Sequence, residues 1–314
     1  MVEAIGPVQA QNWAAPPLAI WARTGRAVDL APALEQRQLI YGFLLRGTLH
    51  LVSTRDYPSY AAVVEASGVI ASASGLDNLR RDLLGFAATP RAGTELVEFI
   101  EDWVGRRRPA LEASELARQR SYRWRPLLRW TALVRAPEGG RWRKAPRAQV
   151  AAPIAPDRWP APEAALKDVV TRHLRAFGPA GPDDVAQWIG WKTPRVRAAM
   201  EGMDLDRLED ERGRKLYDVP GAPRPDPEVP APPRLLPWFD NAILAYSPSQ
   251  RARIMPVEYK DRVYQRANLQ WLPTILVDGM VAGTWAPRSS LNLFTKFPRP
   301  VVAELEALLA QCPA

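Results

Sequence analysis

Eight prolines fall in the 18 residues from Pro220 to Pro237, and no other stretch restricts the fold of this chain as much. Proline lacks a backbone donor and fixes φ, so the segment is neither helix nor central strand. It reads as a stiff, extended linker. A shorter proline-rich stretch, 153–162, makes a second cut. The 314 residues then fall into three modules, 1–152, 153–220 and 221–314. That division suits a length at which one small core no longer suffices.

The middle module is the clearest. Leu166, Val169, Val170, Leu174 and Phe177 recur at helical spacing, with His173 expected on the exposed, polar side. Pro182 starts a second helix, Asp183 to Ile189, with Asp183 and Asp184 at its positive end. After Gly190-Trp191-Lys192, Thr193 caps a third helix with Pro194 at its first position. Val196, Ala199, Met200 and Met203 form its apolar face. Two strands, Leu205 to Leu208 and Lys215 to Val219, flank a turn at Arg212-Gly213-Arg214. Three helices and a hairpin make a winged helix. Lys192, Arg195 and Arg197 decorate the third helix, with Arg212, Arg214 and Lys215 on the wing. Such a helix can enter a major groove. The same unit can also serve internal packing, since Asp204, Asp206, Glu209, Asp210 and Glu211 crowd the wing.

The first module reads as the same pattern twice, diverged. One copy runs to about Val52, with a helix Ala33 to Leu44 and a strand Thr48 to Ser53. The second uses helices Thr94 to Arg107 and Ala113 to Arg120. It ends in a hairpin, Thr131 to Arg135 and Arg141 to Lys144, around Pro137-Glu138-Gly139-Gly140. The third module is α+β. Thr274 to Val277, Asp278-Gly279 and Met280 to Thr284 form a hairpin with the residues a tight primed turn favours. A helix from Pro300 to Leu309 closes the chain. The fold class is α+β, built on three tandem winged-helix motifs with a C-terminal α+β module.

Charge points to a polyanionic partner. The net charge is +8, and residues 105–149 alone carry 13 basic and 3 acidic side chains. A stripe of that kind suits a phosphate backbone, although a solvated face has the same composition. Cys312 stands alone and only His50 and His173 are present, so neither an internal disulfide nor a zinc site is expected. No cofactor is implied. No charged-then-apolar leader and no run of about 18 apolar residues occurs, so no membrane span is expected. The lone cysteine fits a reducing compartment, so the reading is a cytoplasmic protein, taken to be a monomer.

Gln9-Ala10-Gln11 is the candidate chemical motif. Two neutral amides at i and i+2 can hold one water molecule but are poor bases. They suit only a reaction whose leaving group is already good. A pair of surface or capping amides is the alternative.

Gly6-Pro7-Val8-Gln9-Ala10-Gln11 is followed in order by four further motifs. These are Leu45-Arg46-Gly47-Thr48-Leu49-His50-Leu51-Val52, Gly178-Pro179, Leu235-Leu236-Pro237-Trp238-Phe239-Asp240, and Pro273 to Gly279 with Gly283-Thr284-Trp285. The set resembles the winged-helix DNA glycosylases of the azinomycin-resistance type, the AlkZ-like family, over nearly the whole chain. The resemblance implies tandem winged helices around a DNA-sized channel. It also implies hydrolysis of the N-glycosidic bond of alkylated purines such as N7-alkylguanine, including bases in an interstrand crosslink. The partner is then double-stranded DNA carrying alkylated bases. In that family a Gln-apolar-Gln motif is taken as catalytic, which maps onto Gln9 and Gln11. A sister branch carries Asp at the second position, so Gln11 implies the crosslink-tolerant branch. Members usually have a longer stretch before the glutamines, so a short first helix is expected here. No lysine lies beside the pair, so a Schiff-base lyase step is not expected.

Arg46, Thr48 and His50 lie at even spacing and share one face if Thr48 to Val52 is a strand, a second candidate contact with DNA. Thr48 as an anchor and a partly buried His50 are the alternative. Arg141, Arg143 and Lys144 are the foremost DNA-contact candidates, and Trp142 among them either wedges against a base or packs under its hairpin. Asp240 and Asn241 either approach the site or form a turn. Two other functions compete: a non-enzymatic winged-helix regulator, and an enzyme acting on a small molecule. Base release from N7-methylguanine DNA separates the glycosylase from both.

Overall fold

The computed structural model describes residues 1–67, 76–109, 111–130, 132–137, 142, 149–151, 159–226 and 228–313. Its compact units do not follow the proline-rich stretches. Met1–Leu30 and Val170–Ala314 form one unit, and Ala31–Val169 the other.

The chain starts with a short helix, α1 (Val2–Ile5), the two-residue strand β1 (Val8–Gln9) and α2 (Ala15–Thr24). Prolines open α2 and Gly25 closes it in the left-handed region.

The second unit follows as α3 (Ala31–Glu35), β2 (Leu39–Phe43), β3 (Leu49–Ser53), α4 (Tyr57–Glu65) and α5 (Asp77–Phe86). Next come β4 (Arg91–Ala92), α6 (Gly93–Arg107), α7 (Ala113–Ser121), α8 (Arg125–Trp130), β5 (Val134–Arg135) and β6 (Gln149–Ala151). Within this unit the strands lie in the order β3-β2-β5-β6-β4. Leu79, Leu83, Leu96, Ile100, Trp103 and Trp124 make its core. Both indoles are satisfied, Trp103 on Asp82 at 2.8 Å and Trp124 on Glu101 at 2.7 Å.

Two expectations fail here. Ala33 to Leu44 is not one helix. The chain breaks at Arg37, whose φ is 55°, and Leu39-Ile40-Tyr41-Gly42-Phe43 is strand β2. A β-branched and aromatic run favours a pleated surface over a helix. The basic hairpin also differs. Among the described residues β5 pairs with β6, Val134 opposite Ala151. Arg141, Arg143 and Lys144 lie outside the described residues.

The first unit resumes within α9 (Pro162–Phe177). Then follow α10 (Pro182–Ile189), α11 (Thr193–Glu201), β7 (Asp206–Glu209) and β8 (Lys215–Asp218). β7 and β8 form an antiparallel ribbon, and Ala180, between α9 and α10, bridges to Tyr217 on it. Lys192, not Thr193, is the N-cap of α11.

The remainder is β9 (Arg234–Leu236), α12 (Asn241–Leu244), α13 (Lys260–Val263), β10 (Tyr264–Gln265), β11 (Gln270–Trp271), β12 (Thr274–Val277), β13 (Met280–Ala286), β14 (Ser290–Leu293) and α14 (Arg299–Ala310). A four-stranded sheet runs β14-β13-β12-β9. Asp278 and Gly279 turn the β12–β13 hairpin with φ of 50° and 73°. The proline-rich stretch is thus not linker throughout: its end, Arg234–Leu236, is an edge strand, where flanking prolines are tolerated. Leu18, Trp21 and Ala22 of α2 pack in one core with Leu235, Leu236, Ile243, Ile275 and Trp285. The helix that follows Gln9 and Gln11 is therefore fixed to the C-terminal sheet by apolar burial, worth about 1.5–3 kcal/mol per large side chain.

Candidate functional site

Gly6 ends α1 with φ 70° and ψ −172°, a conformation that favours glycine. Pro7 then leads into the extended Val8–Gln9. Val8 and Ala10 are buried, Gln9 is 6% exposed and Gln11 is exposed. Ala10, at 1%, leaves little room for a larger side chain between the two amides. Among the described residues, neither glutamine side chain has a hydrogen-bond partner.

The backbone before Gln9 is gripped from the C-terminal part of the same unit. Asn241 Nδ2 donates to the carbonyl oxygens of Ile5 at 2.8 Å and Pro7 at 3.0 Å. Both partners are acceptors, so chemistry fixes which end of the amide faces them. Its neighbour Asp240 caps α12 by accepting from the Ala242 amide at 2.8 Å. Arg23 donates to both oxygens of that carboxylate, at 2.9 and 2.7 Å, and also to Ala19 O at 3.0 Å. Burial opposes the Arg23 charge, but the carboxylate outweighs it and holds the guanidinium above its ordinary pKa. Asp240 and Asn241 do form a turn and cap, and they also reach the strand of the glutamines. Sequence could not show the second role, because the partners lie 234 and 236 residues away.

In the other unit, the face drawn through Arg46, Thr48 and His50 does not form. Arg46 sits in a turn at φ 57°, and the strand begins at Leu49. Thr48 donates its hydroxyl to Leu45 O at 3.1 Å. His50 is 1% exposed, and its Nδ1 donates to Thr48 O at 2.8 Å. Burial, then the Arg46 charge, lower its pKa to about 3, so it is a neutral core imidazole rather than a cation for phosphate. His173, expected exposed, is fully buried against Phe177 and Trp188, and its Nε2 donates to Ala245 O at 2.9 Å. Burial lowers its pKa to about 4. The signal was present: position 173 falls on the stripe 166–170–173–177 that the apolar residues define.

Lys192, Arg195 and Arg197 are exposed on or beside α11, with the Arg195 guanidinium 4.1 Å from the Trp191 ring centroid. Arg214 is not a wing contact. It bonds Asp183 at 2.6 Å and the buried Asp184 at 2.7 Å, tying the ribbon to the start of α10. Ser247 N completes that cluster on Asp184 at 2.8 Å. Trp142 is half-buried and tilts against Tyr41 with ring centroids 5.8 Å apart, which is the packing alternative. Arg135 also turns inward, 5.7 Å from the Phe43 ring centroid. Among the described residues no three His, Cys, Asp or Glu side chains are placed to hold a metal ion. None of their helices is long and apolar enough to cross a membrane.

Comparison with known proteins gives the reaction class. The sequence model of a family described as DNA glycosylase AlkZ-like matches residues 2–313. The protein is a DNA glycosylase, an enzyme of DNA repair. More particularly, the chain belongs to the AlkZ-like DNA glycosylase family. The solved structure of Streptomyces sahachiroi DNA glycosylase AlkZ is similar with a TM-score of 0.79 and 21% sequence identity, over 99% of this chain and 89% of that one. At that identity the likeness shows the fold. A comparison with curated sequences gives no match.

Proposed function

We propose that the chain is a monofunctional glycosylase that hydrolyses the N-glycosidic bond of cationic alkylpurines in double-stranded DNA, with Gln9 and Gln11 as its catalytic residues. N7-alkylguanine is the type substrate, and bases tied into interstrand crosslinks belong to the same class. The observation that carries this reading is the state of the two amides. They are unpaired among the described residues, they sit on a braced segment, and the carboxylate in that brace, Asp240, is occupied by Arg23.

An amide orients water without deprotonating it strongly, so it supplies less than a positioned carboxylate, whose general-base contribution is on the order of 10² to 10⁴. The substrate makes up the difference. The C1′–N9 bond breaks with its electron pair going to the purine, which neutralises the charge at N7. The sugar becomes oxocarbenium-like, and the carbonyl dipoles of Gln9 and Gln11 face the developing cation. The held water adds to C1′ and releases a proton to solvent, leaving an abasic site and a free alkylpurine. Placement and electrostatics carry the step. Normal guanine has a poor leaving group and is spared.

Three tandem winged helices around a DNA-sized channel and a monomeric, nucleoid-associated enzyme belong to the same proposal. The α9–α11 unit with its β7–β8 ribbon supports one winged helix. Lys192, Arg195 and Arg197 on it, and Arg141, Arg143 and Lys144, are the DNA contacts it favours, with Arg46 a further cation; Trp142, packed on Tyr41, is not among them. Incubation with N7-methylguanine DNA tests the reaction. Base release by the native chain, much slower but still measurable in Gln9→Ala and Gln11→Ala, is expected. Binding without release at any enzyme excess refutes it.

A further inference from the structure

We infer that Asn241, braced through Asp240 and Arg23, is a positioning residue for Gln9: it sets where the catalytic amide sits and touches no substrate itself. The inference rests on the reading of Gln9 as catalytic. Of the short side chains, only asparagine carries two N–H donors on one atom. Both are used here, on the carbonyls of Ile5 and Pro7. Gly6 lies between them, and its positive φ brings both oxygens to one donor. Both side-chain N–H groups of Asn241 are spent on this backbone and the residue is buried, which ties it to the segment that delivers Gln9.

The second half of the brace acts on the other side of the motif. Arg23 is on α2, downstream of Gln11, and its two bonds to Asp240 fix that helix to the residue next to Asn241. One dipeptide therefore holds the chain both before and after Gln9-Ala10-Gln11. Asn241 is buried, and Asp240 anchors the helix cap from which it projects. A water-orienting amide needs this more than a strong base does. Its contribution is geometric, and a 1 Å misplacement can cost about 10²-fold in rate.

The test is single-turnover base release on N7-methylguanine DNA by the native chain, Asn241→Ala, Gln9→Ala and the double variant, together with the affinity of each for abasic-site DNA. The expected result is a fall of about 10²-fold in rate for Asn241→Ala. Abasic-site affinity should stay within about twofold, and Asn241→Ala should add no loss in the Gln9→Ala background, as expected for residues acting as one unit. Arg23→Lys keeps the charge opposite Asp240 but not the paired bonds. It serves if Asn241→Ala fails to fold, with a smaller loss that also vanishes in the Gln9→Ala background. A native-like rate in the folded variants, or an equal loss with and without Gln9, overturns the inference alone. No base release by the native chain overturns the underlying reading and the inference with it.

Discussion

At pH 7 His173 is neutral in the folded chain and mostly neutral in the unfolded one, so it contributes little to the pH dependence of stability there. That changes on acidification. The unfolded imidazole takes up a proton near its ordinary pKa of about 6.5. The folded one does not until about pH 4, because burial against Phe177 and Trp188 outweighs the Ala245 carbonyl and Asp184, which favour the charged form. In this interval the unfolded state binds more protons, so stability falls with pH, by up to about 1.4 kcal/mol per pH unit. The loss is about 2 kcal/mol by pH 5 and about 3 kcal/mol by pH 4, below which it stops growing. His50 adds a similar loss from the other unit, since its pKa is lowered to about 3. The control is therefore His173→Gln, which keeps an N–H for Ala245 O, does not titrate, and leaves His50 in place. Urea midpoints at pH 7 and pH 5 decide it. The native chain should lose about 2 kcal/mol more than the variant over that interval. Equal losses would mean that the ring is not sealed from water, and the argument from burial would be wrong.

Arg214→Ala leaves the buried Asp184 without its cation, and urea unfolding should show a loss of about 3 kcal/mol, near the low end for a broken buried pair. Two backbone donors, Gly181 N and Ser247 N, still serve that carboxylate, and a loss under about 1 kcal/mol would show that they suffice. Gly283→Ala drives a Cβ into the backbone carbonyl of Asn292 on the adjacent strand and should lower stability by about 1–3 kcal/mol. Gly85→Ala, on α5 with open space where its Cβ would lie, should raise it by about 0.5–1 kcal/mol; thermal melts that reverse the two signs would refute the packing argument. Replacing Arg141, Arg143 and Lys144 together by Ala should flatten the salt dependence of DNA binding by up to about 2.7 in log–log slope, and an unchanged slope removes them from the interface. The single-turnover rate of base release should be flat from pH 6 to 9, since glutamine does not titrate and both histidines stay neutral there; a unit-slope rise across that range would reveal a general base.

Local chemistry made some of the fold legible. Pro182 with Asp183 and Asp184, the Asp278-Gly279 turn and the stripe of α14 each state their element within a few residues, and the structure has α10, the β12–β13 hairpin and α14 in those places. The errors arose where one signal had two readings. Leu39-Ile40-Tyr41-Gly42-Phe43 carries apolar residues that suit either period, and only the neighbours of β2 decide for a strand. Arg214 reads as a projecting cation because sequence shows its charge and not the two carboxylates that absorb it.

The candidate site divides along the same line. Gln9-Ala10-Gln11 is local and could be read as the candidate pair, because the proposed chemistry uses two amides spaced around one residue. Their placement is not local. Water held by neutral carbonyls works only if those carbonyls stay still, and nothing in residues 1–15 supplies that rigidity: α1 is one turn long, and β1 has two residues. Asp240 and Asn241, more than 230 residues after Gln9, brace its backbone, with Arg23 as the link. A weak catalytic group therefore implies a strong frame, and the frame should be sought in buried polar side chains bonded to the backbone on either side of the motif. In this chain that criterion selects Asn241, whose side-chain amide donates to the two carbonyls leading to Gln9.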